Sequence, residues 1–353
     1  MDVYWLMGGI MLLLQLIPVS TDKTFRLRMF VTFSVMFVYG AFRVNYGYDY
    51  PTYEEFYDAV HSYGLLETRV EAGYTFLNKI MPSFRTLLII TSALTCFAYY
   101  WMFTRFVTPQ WTWLGIILLF LSGDKSIFFM FSGIRNAIVV ALLILSLKLI
   151  QERKLLLFAL LTFFAIQFHQ SAIFVFPIVY LLGTGAPMTK TKLWIWGVFF
   201  VVMTFLSTTV LIDFFSTFID QYFERYNSYM EKAEEYGDYR SSLVLGSCSI
   251  MAFSILYYLY LGRDKLTKEQ NFIGVISLCF IISYLLGSLN LRFSQYFMPF
   301  FILSTINIVR SSIKPIVKWG FLAFVLLFLG YAFFVVYLQS PTFPYQEYNS
   351  ILF

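Results

Sequence analysis

The chain has 353 residues, of which 59% are hydrophobic and 13% charged, and its formal net charge is +5. A soluble globular domain carries roughly 25% charged residues, so this composition excludes an ordinary soluble protein and indicates a polytopic membrane protein. The 42 Phe and 26 Tyr residues exceed what helix packing requires, which leaves aromatic faces for membrane interfaces or for sugar rings.

Twelve apolar runs of membrane length, or nearly so, predict an all-α protein of a single domain, residues 1–353, with about twelve transmembrane helices, some of them short or broken. The first run lacks the basic segment and cleavage site of a signal peptide, and we expect it to be retained as a helix. The runs are 3–19, 28–43, 86–104, 111–122, 133–150, 155–168, 170–182, 193–212, 242–261, 271–289, 294–309 and 319–338.

The stretch 155–182 is ambiguous, because it can form one tilted helix or two short helices that meet near His169. The positive-inside rule favours two helices, since only then do the short basic loops all lie on one side of the membrane. Fifteen Lys and Arg residues and four acids would then face the cytoplasm. Both termini and two longer loops, 44–85 and 213–241, would face outward, and His169 would lie on the same side as Arg135.

The two outer loops differ in character. Loop 44–85 is dense in Tyr, Asp and Glu, a composition that suits carbohydrate but also fits a solvated loop anchored by tyrosines. Loop 213–241 spaces Phe214, Phe218, Tyr222 and Tyr226 four residues apart, which predicts an amphipathic helix in the membrane interface, either as an anchor or as a wall over a substrate groove.

Six polar residues on the predicted outer side are candidates for chemistry. Two arginines at helix ends, Arg135 and Arg292, can clamp a diphosphate, because guanidinium matches phosphate oxygens and stays charged. His169 can accept a proton from a hydroxyl group near neutral pH, and Asp49 can orient that hydroxyl, hold the histidine or act as the base. Tyr50 and Glu54 are candidate sugar or acceptor contacts. Each residue also has a purely structural interpretation, such as a snorkelling arginine or a core histidine.

The few histidines and cysteines and the missing motifs exclude several other kinds of functional site. The chain contains two histidines, and its three cysteines, Cys96, Cys248 and Cys279, all lie in apolar runs, so we expect neither a zinc site nor a disulfide. No glycine-rich phosphate loop or serine nucleophile elbow is visible in the sequence. We therefore expect no metal, no cofactor, no nucleic-acid partner and no ATP-driven transport.

Five segments in order resemble the EpsG family of Wzy-type polysaccharide polymerases. They are GYDYPTYEEFY, SGIRNAIVVALLILSLKLIQERK, FALLTFFAIQFHQSAIFVFPIVYLL, LRFSQYF and the PY of the tail. Where the family commonly has Arg-Gln at the start of the middle helix, this chain has Arg135-Asn136.

The resemblance implies a membrane glycosyltransferase of the GT-C type in the bacterial inner (cytoplasmic) membrane. Its substrates would be oligosaccharide repeat units linked to undecaprenyl diphosphate, which it would join into O antigen, capsule or exopolysaccharide on the outer face. A separate chain-length regulator is an expected partner. A flippase of the same lipid-linked oligosaccharide, a glycan ligase and a membrane acyltransferase are the alternatives.

Overall fold

The computed structural model describes residues 2–63, 70–206, 242–285, 291–337 and 348–352. The chain forms two compact units, one of Met1–Tyr180 with Leu329–Phe353 and one of Leu181–Phe328. The single domain expected from the sequence stays a prediction.

The first unit is built almost entirely from helices, with a short antiparallel strand pair. Single 3₁₀ turns, Pro109–Trp111 and Gly123–Lys125, precede two of its helices, and a π-helical turn, Ala332–Tyr337, lies in its C-terminal segment. Its elements are α1 Asp2–Leu14, α2 Asp22–Ala41, β1 Arg43–Val44, α3 Tyr50–Tyr63, α4 Ala72–Ile80, α5 Phe84–Phe106, α6 Thr112–Leu121, α7 Ile127–Ser132, α8 Ile134–Leu145, α9 Leu147–Gln151, α10 Leu155–Ile166, α11 Ala172–Leu182 and β2 Asn349–Ser350.

The described part of the second unit is also helical. Its elements are α12 Lys190–Leu206, α13 Ser242–Leu261, α14 Lys268–Leu285, α15 Leu291–Arg310 and α16 Pro315–Tyr331, most of which lies in this unit. Within this unit α15 packs along α14, and α13 packs against α12 and α14. The amphipathic helix predicted for loop 213–241 lies outside the described residues.

Local sequence explains where the long helices of the first unit begin. Thr21 caps α2 through a reciprocal pair of hydrogen bonds with Thr24, and Ser83 caps α5 by accepting the Thr86 N–H. Such caps satisfy backbone N–H groups that have no partner inside the helix. Helix α5 then packs against both α2 and α8, which places it in the middle of the unit.

The ambiguous stretch 155–182 forms two helices that turn back on one another. Helix α10 ends at Ile166 and α11 begins at Ala172. Phe158, near the start of α10, stacks on Phe176 in the middle of α11 and on Tyr180 near its end, with ring centroids 5.6 and 5.1 Å apart. Because the start of one helix contacts the end of the other, the pair is antiparallel, and a single tilted helix is excluded.

The predicted outer loop 44–85 contains two helices, α3 and α4. Helix α3 forms because its buried residues, Tyr50, Tyr53, Tyr57 and Val60, recur every three to four positions and so lie on one face. The opposite face carries the acids. The tyrosines that suggested a sugar-binding or interfacial loop are therefore in large part the core of a small helical layer.

Helix length and composition indicate which helices could cross a membrane. Two of them, Phe84–Phe106 and Pro315–Phe334, are long and apolar enough to span a bilayer, and several shorter apolar helices accompany them among the described residues. Helix α10 exposes large apolar side chains, including Leu156 at 75% and Phe163 at 67%, as expected of a surface that faces lipid. The all-α prediction is confirmed, whereas the count of about twelve spans stays a prediction.

Candidate functional site

Arg135 lies in the first turn of α8. Gly133 separates α7, which ends at Ser132, from α8, which begins at Ile134. A cation at a helix N-terminus is disfavoured by the helix dipole by about 0.3–1 kcal/mol, so helix stability does not account for an arginine here. Its side chain is 24% exposed, so the residue is not fully buried.

Glu71 balances this charge. Its Oε2 accepts a hydrogen bond from Arg135 Nη1 over 2.5 Å, and the Glu71 side chain is only 9% exposed. Its second oxygen, Oε1, accepts the backbone N–H of Gln170 over 3.3 Å. Glu71 occupies the N-cap position of α4, where a negative charge is favourable. One carboxylate therefore joins the start of α8, the start of α4 and the break between α10 and α11.

The start of α4 is in direct backbone contact with that break. The N–H of Tyr74 donates to the Gln167 carbonyl over 3.1 Å. A Cβ on Gly73 would lie 2.6 Å from Gln167 Cβ and 2.8 Å from the Gln167 carbonyl oxygen, so only glycine allows this approach.

Two tyrosine rings flank the arginine. The Cζ atom of Arg135 is 6.0 Å from the ring centroids of both Tyr53 and Tyr74, and these rings meet edge to face at 5.6 Å. A guanidinium near aromatic faces gains about 0.5–2 kcal/mol. The rings and Glu71 thus hold the position of Arg135 from three directions.

His169 lies inside the break and is buried, with 5% of its surface exposed. Its Nδ1 is 2.6 Å from Ser171 Oγ and 3.3 Å from the backbone N of Ser171. Because a backbone N–H can only donate, Nδ1 is the acceptor, and in the neutral ring the proton is assigned to Nε2. The neighbouring residue, Gln170, binds Glu71, so Arg135 and the segment that carries His169 belong to one cluster.

Asp49 lies in the turn before α3 and is half-buried. Its backbone N–H donates to Ser132 Oγ over 3.1 Å. Gly47, with φ +114°, brings this turn against the Ser132 backbone, since a Cβ there would lie 3.3 Å from Ser132 Cα. The turn that carries Asp49 therefore contacts Ser132, the last residue of α7, which is three residues before Arg135 in the chain.

A second arginine, Arg43, is buried next to the end of α7. Its guanidinium donates to the carbonyls of Phe131, over 2.7 Å, and of Gly40, and its Cζ is 5.4 Å from the Phe131 ring centroid. Arg85 donates in turn to the Arg43 carbonyl over 2.6 Å. These contacts connect β1 to the end of α7, and so support the backbone that presents Arg135.

The two residues expected to contact sugar have different surroundings. Tyr50 is 2% exposed, and its ring packs edge to face on Phe84. Burial first, and then the charge of Glu54, raise the pKa of the Tyr50 phenol, against the opposing effect of Arg85. Glu54 is exposed on the outer face of α3. In this structure Tyr50 anchors α3, while Glu54 is accessible; sugar contact by either residue stays a prediction.

The remaining candidate, Arg292, is the second residue of α15, in the second unit. Its side chain lies outside the described residues, so its pairing with Arg135 stays a prediction. Among the described residues, no group of three or more His, Cys, Asp and Glu side chains is arranged to hold a metal ion.

Sequence reasoning did not find Glu71, Tyr53, Tyr74 or Arg43. Glu71 is one acid among many in the segment 44–85, and its partners are 64 and 99 residues away in the chain. The one local signal was its place directly before a short amphipathic run, where an acid is a favourable N-cap neighbour of the helix.

The fold and the cluster define a helical membrane protein with a partly buried arginine held between a broken helical hairpin and a tyrosine-rich layer. The chain belongs to the EpsG family, whose model matches residues 25–350. The family is one of membrane proteins of the polysaccharide-polymerase type, and the resemblance found in the sequence is thereby confirmed. No curated protein and no solved structure matches the chain significantly.

Proposed function

We propose that this protein is a polysaccharide polymerase that joins oligosaccharide repeat units linked to undecaprenyl diphosphate on the outer face of the bacterial cytoplasmic membrane. Family membership supports the class of protein. The observation that carries the reaction is the cluster in which Glu71 joins Arg135 to the break that holds His169. It offers a cation for a diphosphate beside an imidazole that can donate a hydrogen bond to the substrate.

Arg135 acts on the donor. In the transfer, the bond between the anomeric carbon and the diphosphate oxygen breaks, and the electron pair leaves with the diphosphate. A guanidinium already held in place stabilises this developing charge without reorganising at the moment of reaction. Arg292 supplies the second cation, and because the two arginines neutralise the leaving group, we expect turnover without a metal ion.

Asp49 acts on the acceptor, and His169 assists. The new bond forms between the anomeric carbon and an acceptor hydroxyl, whose proton must pass to a base. Since Nδ1 of His169 accepts from Ser171, the neutral ring carries its proton on Nε2 and is a hydrogen-bond donor in that form. We therefore assign the base to Asp49 and give His169 the role of a donor to a diphosphate or sugar oxygen, with Glu54 as an acceptor contact.

The test is the length distribution of surface glycan in cells that carry Arg135→Ala, Arg292→Ala, Asp49→Asn or His169→Ala at normal membrane abundance. We expect the ladder to collapse to a single repeat unit attached to its acceptor, because export and attachment remain intact. Lys79→Ala is the matched control, since Lys79 is an exposed cation on α4 with no part in the proposal, and its ladder should be normal.

The same experiment separates the alternatives. If no repeat unit reaches the surface, the protein is a flippase; if complete chains accumulate on the lipid carrier, it is a ligase. An unchanged ladder in all four variants would contradict the proposed site. Turnover that is lost with EDTA and restored by Mg²⁺ or Mn²⁺ would contradict metal independence.

A further inference from the structure

The cluster contains a carboxylate to which the proposed reaction gives no role. We propose that Glu71 is a positioning residue, which holds the Arg135 guanidinium and the 167–171 break in the one arrangement that binds the lipid diphosphate. This inference rests on the proposed function. Glu71 itself touches neither donor nor acceptor in the proposal and acts through Arg135.

The first argument is that Glu71 uses both of its oxygens. Oε2 accepts from Arg135 Nη1 over 2.5 Å and Oε1 from the Gln170 N–H over 3.3 Å. A carboxylate is the side-chain group that offers two acceptors and no donor at this spacing. The two donors come from segments that are 35 residues apart in the chain, and this one carboxylate accepts a hydrogen bond from each of them.

The second argument is that α4 itself is fastened at this point. The Tyr74 N–H bonds to the Gln167 carbonyl, and Gly73 allows the backbones to meet. Glu71 therefore extends from a fixed platform, which makes the position of its carboxylate well defined. A charged partner held in this way limits the rotamers of a long arginine side chain, so less side-chain entropy is lost when the ligand binds.

The third argument is electrostatic. A guanidinium paired with a carboxylate attracts a diphosphate less strongly than a bare one, so the pair is not arranged for the strongest attraction. In this proposal the pair serves orientation, because Glu71 holds Nη1 of an arginine whose side chain is still 24% exposed. Preorganisation of this kind reduces the entropy lost when the ligand binds.

Three substitutions separate positioning from charge alone. Glu71→Gln has the same shape but offers one acceptor and one donor, so its amide NH₂ must confront either Arg135 Nη1 or the Gln170 N–H. Glu71→Asp keeps both acceptors on a shorter side chain. Glu55→Gln removes an acid from the exposed face of α3 and is the matched control.

The experiment uses the full chain in lipid nanodiscs with undecaprenyl diphosphate as the probe. Binding is measured by titration, and the order of the break by hydrogen exchange of the amides in residues 167–174. We expect Glu71→Gln to weaken binding about tenfold, equivalent to about 1.4 kcal/mol, and to speed exchange in the break. Glu71→Asp should restore part of both, and Glu55→Gln should change neither.

Two outcomes overturn the inference and leave the proposed function intact. If Glu71→Gln binds the probe as the natural chain does, Glu71 has at most a structural role, whether or not exchange becomes faster. If Glu71→Gln binds the probe more tightly, Glu71 competes with the diphosphate for Arg135 and does not position the Arg135 guanidinium. If the natural chain does not bind the probe, the proposed donor site fails, and the positioning role fails with it.

Discussion

Gly73 and Gln167 lie so close together that a methyl group on residue 73 would overlap the Gln167 side chain and carbonyl. The contacts would be 2.6 Å to Cβ and 2.8 Å to the carbonyl oxygen, well inside van der Waals distance. Residues 94 positions apart in the chain therefore meet backbone to backbone at the centre of the candidate site.

We expect Gly73→Ala to push α4 away from the break and to weaken the bond from the Tyr74 N–H to the Gln167 carbonyl. Overpacking of this kind costs about 1–3 kcal/mol. Thermal unfolding of the purified protein should show the loss, and the glycan ladder should shorten. Gly9→Ala is the control, because an alanine Cβ at that position on α1 would have no atom within 4 Å and alanine favours a helix. Equal melting temperatures for the two variants would contradict the contact.

Arg28 joins three segments of the first unit. Its Nη1 donates to the carbonyls of Gln15 and Ile17, and its Nη2 donates to Pro109 and Thr112. Lysine has a single nitrogen and cannot reproduce this two-sided arrangement. We expect Arg28→Lys to lower the free energy of unfolding by about 2–4 kcal/mol, from several lost bonds to a charged donor. Arg26→Lys is the control, since Arg26 is exposed and pairs with Asp22 four residues before it; matching stabilities would refute this prediction.

Arg153 combines a favourable contact with a strained backbone. It has φ +55°, while its Nη1 donates to the Tyr180 carbonyl over 2.5 Å and its Cζ is 4.0 Å from the Tyr180 ring centroid. Arg153→Ala should be the least stable variant, because it loses the contact and keeps the left-handed conformation. Arg153→Gly loses the same contact but relaxes that conformation, and we expect it to be more stable than the alanine variant by about 1 kcal/mol. Chemical denaturation of both variants measures the difference, and the reverse order would show that the left-handed conformation is not strained.

Tyr348 attaches the C-terminal segment of the first unit to α2. Its ring stacks on Tyr39 with centroids 4.4 Å apart, and its hydroxyl donates to the Tyr39 carbonyl over 2.7 Å. The strand that follows pairs antiparallel with β1, with Ser350 opposite Arg43.

We expect Tyr348→Phe to cost about 1 kcal/mol, for one hydrogen bond, and Tyr348→Ala to cost about 3 kcal/mol, as for truncation of a packed aromatic ring. Only the alanine variant should release the strand, which limited proteolysis of the C-terminus would detect. Equal sensitivity of the two variants to protease would show that the ring stack does not hold the strand.

The class of the protein and the position of most helices could be predicted from the sequence. Composition determined a helical membrane protein, because so few charges and so many apolar residues cannot form a soluble surface. The break at 167–171 was predictable too, because Gln167, His169, Gln170 and Ser171 interrupt an apolar run and the basic loops favour a reversal there. Helices α3 and α4 were taken for a loop, because their tyrosines indicated a surface and are in fact a buried face.

The sequence by itself determined the family, the helical character and a short set of polar residues from which a site can be drawn, all of which follow from local composition and order. Only the tertiary structure decided which of these residues act together. Arg135, Glu71 and Gln170 meet because α4 docks on the break through Gly73, and a contact across 99 residues leaves no periodic signal in the chain. The tertiary structure likewise buried Tyr50 and assigned the Nδ1 atom of His169 to Ser171, because burial and hydrogen-bond direction depend on neighbours that packing, and not local sequence, brings together.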